Sequence, residues 1–129
     1  MKTTRKPAPI QRPDLSPWAI QFVRFVELVG ETAPDVDAAV QTVTFAFGCM
    51  ADLANFKGDE YRIARDSAQD YVRNLYWRRL VVRMENACPI DDRMDRPSAI
   101  VQLAEHTNAC CRMALRDALT DIRPSLPLT

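Results

Sequence analysis

The chain has 129 residues, of which 47% are hydrophobic and 26% are charged, and its 17 basic residues balance its 17 acidic residues. This length and composition are typical of one compact globular domain, and they exclude both a second full domain and disorder over most of the chain. Three glycines and the lack of any Asn-Gly or Asp-Gly pair exclude an architecture of many short strands joined by tight turns, so the chain is predicted to be helical.

Two features of the sequence predict a cytoplasmic protein that does not enter the membrane. Residues 1–15 are predicted to form a basic, proline-rich tail, which is not followed by the apolar stretch of a secretory signal. The longest stretch without charge, residues 38–51, has 14 residues, whereas a membrane-spanning helix needs roughly 18 or more apolar residues. The four cysteines match no small disulfide scaffold, so we expect reduced thiols.

Glycine, proline and capping residues divide the chain into four helical segments. The first starts at Ser16-Pro17, a capping residue followed by proline at the first helical position, and ends at Gly30. The second ends at Lys57-Gly58. The predicted helices cover about residues 17–29, 36–56, 60–87 and 97–122. Because the connections are short, the pattern predicts a single all-α domain, an up-and-down four-helix bundle with a long or bent third helix.

The first two helices carry more apolar surface than one seam of a bundle needs. In the second helix an apolar seam repeats at spacings of four and three, while Phe45 and Cys49 lie on the far side. In the first helix Ile20 and Leu28 interrupt the polar face, opposite the broad apolar face that begins at Trp18. This surplus predicts a surface that a partner covers.

The fourth helix has the pattern of a surface helix with one buried stripe. Ile100, Leu103 and Cys111 are predicted to lie in that stripe, and His106 at its edge. We therefore expect this helix to present a polar outer face to solvent.

The third helix changes its buried face halfway along its length. At 100° per residue, Arg79 falls at the azimuth of Tyr61, which lies on the buried face of the first half. An unpaired guanidinium buried there costs on the order of several kcal/mol. The helix is therefore predicted either to bend near residues 74–77 or to project past the bundle. In the alternative interpretation, two arginines pair with acids of the following linker, namely Arg79 and Arg83 with Asp91, Asp92 and Asp95.

Charge is unevenly distributed along the chain although the total is zero. Residues 27–60 hold seven acids and one lysine, a local charge of −6, whereas residues 71–83 hold four arginines and no acid, a local charge of +4. Arginine, tryptophan and tyrosine are the residue types most enriched at the centres of protein interfaces. The predicted partner-binding residues are Arg73, Tyr76, Trp77, Arg78, Arg79 and Arg83 of the third helix, with Trp18 and Phe45.

No motif of the sequence indicates a reaction or a cofactor. The chain lacks the glycine-rich phosphate-binding motifs, and its single histidine excludes the paired Glu-x-x-His motifs of a di-iron bundle. His106 and Cys110 are spaced to place two ligands on one metal ion, with Cys49 or Cys88 as further ligands. Because no Cys-x-x-Cys or His-x-x-x-His pair accompanies them, we predict packing roles for the cysteines, no metal, no cofactor and no enzymatic activity.

The sequence therefore favours a non-catalytic interaction protein that docks on a larger partner protein or complex, as an adaptor, assembly factor or stoichiometric inhibitor does. Inhibitors encoded by mobile elements, such as anti-CRISPR proteins, are one subtype of this prediction. The alternative is a nucleic-acid or ribonucleoprotein binder that uses the arginine and aromatic end of the third helix. A homodimer is a third possibility. If docking is correct, Arg79→Glu with Arg83→Glu abolishes partner binding and changes the free energy of unfolding by no more than about 1 kcal/mol.

Overall fold

The computed structural model describes residues 15–87, 98–120 and 122. These residues form four helices, α1 (Pro17–Thr32), α2 (Val36–Ala54), α3 (Asp59–Ala87) and α4 (Ala99–Ala118). The helices account for 87% of the described residues, among which there is no strand, so the predicted all-α bundle with a long third helix is confirmed. Parts of the prediction lie outside the described residues, namely the N-terminal tail, Cys88 and the linker acids Asp91, Asp92 and Asp95.

Three of the helices begin directly after a capping residue, and Ser16 is the one predicted above. Ser16, Asp35 and Ser98 each accept a hydrogen bond on the side-chain oxygen from the backbone N–H three residues further on, over 3.2, 2.8 and 3.3 Å respectively. Each bond satisfies one of the N–H groups that the first helical turn leaves without a partner. Local chemistry is therefore sufficient to place these three starts.

The ends of the helices differ from the predicted ends by a few residues. α1 continues two residues past Gly30, which is buried in the bundle and keeps a negative φ instead of the left-handed conformation of a helix end. α2 ends at Ala54, before the predicted Lys57-Gly58, because Asn55 adopts the left-handed conformation with a φ of 54°. That conformation turns the backbone N–H groups back towards the last carbonyls of the helix.

α3 lies at the centre of the bundle and packs against all three other helices. α1 and α2 pack on each other and on α3. α4 packs along α3, touches α1 only slightly and has no contact with α2 among the described residues. The core joins the apolar faces of the first three helices and is closed by the end of α4. Its largest fully buried side chains are Tyr71, Phe47, Leu115, Leu119, Ile122, Val26, Val43 and Val72.

Aromatic rings pack together at one end of the bundle. The ring of Phe47 in α2 lies 5.4 Å from that of Phe22 in α1 and 5.2 Å from that of Tyr61 in α3, measured between centroids. Its centroid is 6.4 Å from that of Phe56, which approaches edge-on. These separations are typical of favourable aromatic pairs. The start of α1, the end of α2 and the start of α3 therefore meet at this end.

The change of buried face in α3 follows from the unequal lengths of the helices. α3 has 29 residues against 16 in α1 and 19 in α2, so its last turns extend beyond the corner between α1 and α2. Arg79 lies on the same side of α3 as the residues that its first half buries in the core, and it contacts this corner. Another side packs against the first half of α4, through buried Val81 and a hydrogen bond from the Ser98 hydroxyl to Glu85. The second half of α3 therefore extends past α1 and α2 with α4 beside it.

Candidate functional site

The acidic and arginine-rich segments of the sequence meet within the bundle. Arg78 of α3 donates a hydrogen bond to Glu105 of α4 over 2.9 Å and lies 3.8 Å from Glu31 of α1. Glu27 of α1 pairs with Arg112 of α4 at 3.4 Å. Pairs of this kind at the surface contribute only about 0–1 kcal/mol each. They neutralise part of the local charge where α4 meets α1 and α3.

Tyr71, the largest fully buried side chain, makes a hydrogen bond inside the bundle. Its hydroxyl donates to Glu27 over 2.6 Å. Burial raises the pKa of Tyr71 well above its ordinary value, and the hydrogen bond to Glu27 and the negative charge of that carboxylate add to the shift. Tyr71 therefore stays neutral at physiological pH and acts as a donor that satisfies the carboxylate.

Arg79 is held by the corner between α1 and α2. Its guanidinium donates a hydrogen bond over 2.8 Å to the backbone carbonyl of Ala33, the residue that caps the end of α1. It also lies over the ring of Tyr76, 4.5 Å from the centroid, and the Tyr76 hydroxyl donates to the carbonyl of Pro34 over 3.4 Å. A cation is stabilised at a helix C-terminus because the carbonyls there carry partial negative charge. These contacts satisfy part of the guanidinium, whose buried Nε has no hydrogen-bond partner among the described residues.

Replacing Arg79 by methionine removes the donor to Ala33 and keeps most of the aliphatic side chain. We expect Arg79→Met to lower the free energy of unfolding by about 1 kcal/mol, the usual net contribution of such a hydrogen bond. Urea denaturation followed by circular dichroism measures this change.

Arg83→Met is the matched control for this substitution. Arg83 is exposed and makes no hydrogen bond or ion pair to the described residues, so its replacement is expected to change the free energy of unfolding by less than about 0.5 kcal/mol. Equal losses in the two variants would contradict the role given to Arg79. The double substitution Arg79→Glu with Arg83→Glu is therefore no longer expected to leave the free energy of unfolding unchanged. Arg83→Glu alone is still expected to do so, whereas Arg79→Glu removes the hydrogen bond to Ala33.

The second half of α3 and the first half of α4 form an exposed apolar surface. Trp77, Leu80 and Met84 lie within an arc of about 60° on the outer side of α3. Ile100 and Leu103 lie on the adjoining side of α4. We call these five residues the α3–α4 patch. Four of them are exposed over 38% to 69% of their area, and Leu80 is half-buried.

Two contacts between α3 and α4 establish where the patch lies. Arg78 meets Glu105 on the side of the helix pair that faces α1, since Glu31 is also within reach there. Ser98 donates to Glu85 where α4 begins, so the end of α3 lies beside the start of α4. The patch residues point away from the contact between Arg78 and Glu105 and share the other side of the pair. No other helix of the described chain covers that side.

Two arginines border the patch. Arg73 lies one turn before Trp77 on the same side of α3, and its contact with Asp70 is long, 3.5 Å, and exposed to solvent. Arg83 is exposed next to Met84. The surface is therefore apolar at its centre, with Arg83 and the Arg73–Asp70 pair at its edge.

The structure does not bring the eight predicted partner-binding residues into one surface. Three lie in or beside the patch, namely Arg73, Trp77 and Arg83. Three are bonded to the rest of the chain, namely Tyr76, Arg78 and Arg79. Trp18 lies at the aromatic end of the bundle, in an apolar groove of about 280 Å³ that Phe25 and Met50 also line. Phe45 is 75% exposed on the outer face of α2.

Ile100 and Leu103 correct a prediction made from the sequence. The periodicity of α4 places both in its buried stripe, but both are exposed. Because only α3 packs closely along the first half of α4, the buried arc there is narrow and consists of Val101 and Ala104. The sequence does hold a sign of this exposure. The apolar stripe of α4 is wider than the area that one neighbouring helix covers, so residues at its edge remain exposed.

Two of the three described cysteines are exposed, which corrects the packing role predicted for them. Cys49 is exposed on α2 and Cys110 on α4, whereas Cys111 is half-buried and packs against the core. Burial raises the pKa of the Cys111 thiol, and the negative charge of Asp70 adds to this shift. All three are free thiols.

Comparison with known proteins gave no match: no family matches the sequence, no curated protein is significantly similar to it, and no solved structure is significantly similar to its fold. Within the described part of the chain, every helix is too short or too polar to cross a membrane. The function is therefore inferred from the surfaces of this chain.

Proposed function

We propose that the protein is a non-catalytic interaction protein that docks on a larger partner protein or complex through the α3–α4 patch. The supporting observation is that four large apolar side chains stand exposed beside one another on two packed helices. A contiguous apolar surface of this kind is typical of a site that a partner covers. Tryptophan and methionine, which the patch contains, are enriched at protein interfaces.

The partner is expected to present an apolar ridge with acidic groups at its edge. Two packed helices leave a shallow groove between them, and an amphipathic helix fits such a groove with its apolar face. Arg73 and Arg83 place positive charge at the border of the patch. Acidic residues opposite them would speed association and align the partner.

A chain of this kind acts by covering part of a larger molecule. This mode of action suits a stoichiometric inhibitor or an assembly factor, both of which work by occupancy and need no catalytic group. An inhibitor encoded by a mobile element, such as an anti-CRISPR protein, is one subtype. The composition and the exposed patch support these finer assignments.

A nucleic-acid or ribonucleoprotein binder is the second candidate, because Arg73 and Arg83 are exposed near Trp77. Arginines pair with phosphates, and bases stack on aromatic rings. Arg78 and Arg79, however, are bonded within the chain, so only two of the four arginines of this segment face outward. Salt discriminates the two candidates, since binding to phosphates weakens linearly in log salt whereas apolar docking responds much less.

A double substitution in the patch tests the docking proposal. Met84→Glu with Leu103→Glu places two carboxylates where the partner would bury apolar surface. We expect capture of the partner from extracts of the native host to fall by at least about tenfold. Capture is measured by pull-down and quantitative mass spectrometry. Because both side chains are exposed, the free energy of unfolding should change by less than about 1 kcal/mol.

Leu28→Glu with Ile63→Glu is the matched control, because these side chains are exposed to a similar extent on other surfaces. The control is expected to capture the partner as well as the wild type does. A photo-crosslinking residue at position 103 should attach to the same partner, and one at position 63 should not. Capture that survives the patch substitution, or that is lost equally in the control, would rule out this surface. Light scattering at two concentrations detects a homodimer as the alternative occupant.

A further inference from the structure

The outer face of α4 carries two metal-binding atoms side by side. His106 and Cys110 lie one turn apart and are both exposed, with the Cys110 Sγ 3.7 Å from the His106 Nε2. Two ligands of a tetrahedral zinc ion, with Zn–S of about 2.3 Å and Zn–N of about 2.0–2.1 Å, are about 3.6 Å apart. The two atoms therefore stand at the separation that one zinc ion requires, with no rearrangement of the helix.

Among the described residues, the α4 side chains within one turn of this pair on the same face are uncharged, and the next charged side chain on that face is Asp117, two turns past Cys110. Gln102, Ala109 and Met113 are exposed on the same face of α4, and residues 106–111 contain neither acids nor basic residues other than the histidine itself. Glu105 and Arg112 turn towards α1 and α3, where they form ion pairs. A second copy of the chain can therefore bring its own pair against this one without like charges meeting at the pair itself.

We infer that His106 and Cys110 bind Zn²⁺ and that a second copy of the chain supplies the same pair, so that one ion joins two α4 helices. Structural zinc takes four ligands, and at this face the described residues of one copy offer two. Cys49 does not complete the set, because α2 has no contact with α4 among the described residues. The described residues also contain no group of three or more His, Cys, Asp or Glu side chains placed to hold a metal ion. A two-fold axis through the ion supplies the missing pair.

Binding exchanges a proton for the metal ion at Cys110. The zinc ion accepts one lone pair from the neutral His106 ring at Nε2 and one from the Cys110 thiolate, and the thiol proton passes to solvent. The contact between Sγ and Nε2 then becomes the edge of the coordination tetrahedron. No electron is transferred and no other bond is formed.

Cobalt titration of the reduced full chain tests this inference, because a bound Co²⁺ ion reports a thiolate ligand by its charge-transfer absorption. We expect this absorption to saturate at one ion per two chains, and the sedimenting mass to double when Zn²⁺ is added. His106→Ala and Cys110→Ser should each abolish both effects. Both positions are exposed, so circular dichroism should show an unchanged helix content.

Cys49→Ser and Cys88→Ser are the matched controls, and both should keep the absorption and the zinc-dependent dimer. The inference is overturned if the wild type shows no charge-transfer absorption, if one ion binds to a monomer, or if Cys88→Ser loses the signal. It is also overturned if Cys110→Ser retains it. Met84→Glu, which alters the α3 side of the patch and leaves α4 unchanged, should leave the cobalt spectrum unchanged.

Discussion

Phe47→Ala is expected to lower the free energy of unfolding by about 3–5 kcal/mol, the usual cost of truncating a buried phenylalanine. Phe47 is fully buried, and its ring meets rings from α1, from α3 and from the segment between α2 and α3. Truncation leaves a cavity where three helices meet, which closes only if several helices move together. Because small domains are stable by only about 5–15 kcal/mol, this loss is a large share of the total. Urea denaturation followed by circular dichroism measures it.

Phe45→Ala is the control for this substitution, because it removes the same side chain two positions earlier. Phe45 is 75% exposed, so its truncation creates no cavity and should change the free energy of unfolding by less than about 0.5 kcal/mol. Residues two apart on a helix point about 200° apart, so the pair reports which face of α2 is buried. A large loss at Phe45 and a small one at Phe47 would mean that α2 presents its other face to the core.

Gly30→Ala is expected to lower the free energy of unfolding by about 2 kcal/mol. A Cβ atom at position 30 would lie 2.6 Å from the Cβ of Leu75, and both atoms are attached directly to the backbone. No rotation of a side chain relieves this clash, so α1 must move away from α3. The loss is expected although alanine favours the helix over glycine by about 1 kcal/mol. Urea denaturation is again the measurement.

Gly48→Ala is the control in the neighbouring helix. A Cβ atom there would lie 3.7 Å from the Tyr61 hydroxyl oxygen, an ordinary contact. Since nothing has to move, the higher helix propensity of alanine should raise the free energy of unfolding by about 0.5–1 kcal/mol. Equal stabilisation at both glycines would contradict the close approach of α1 and α3 at Gly30.

The starts of the helices could be predicted because their causes are local. The hydrogen bonds at Ser16, Asp35 and Ser98 each involve residues three positions apart. The end of α1 could not be predicted in this way, because Gly30 has the identity of a helix end but packs against Leu75, a residue far along the chain. Glycine is suited both to the end of a helix and to a close contact between two helices, and only the position of Leu75 shows which applies to Gly30.

The candidate site could be predicted only in part. The arginine and aromatic pattern points to the second half of α3, where Trp77 is exposed. The pattern does not show which arginines face outward, because Arg79 meets Ala33 only where α1 happens to end. Nor does it show that Leu103 is exposed, since this depends on how much of α4 its one close neighbour covers.

The sequence by itself determined that the chain is helical, where three of the helices begin, and that it carries more apolar and arginine-rich surface than a bundle requires. Periodicity and capping depend on residues a few positions apart, and composition needs no structure at all, so all three can be determined from the sequence. Only the tertiary structure decided which of these side chains stay at the surface. Burial depends on α3 extending past α1 and α2 and on α4 packing along α3 over a narrow arc, and both conditions arise between residues distant in sequence.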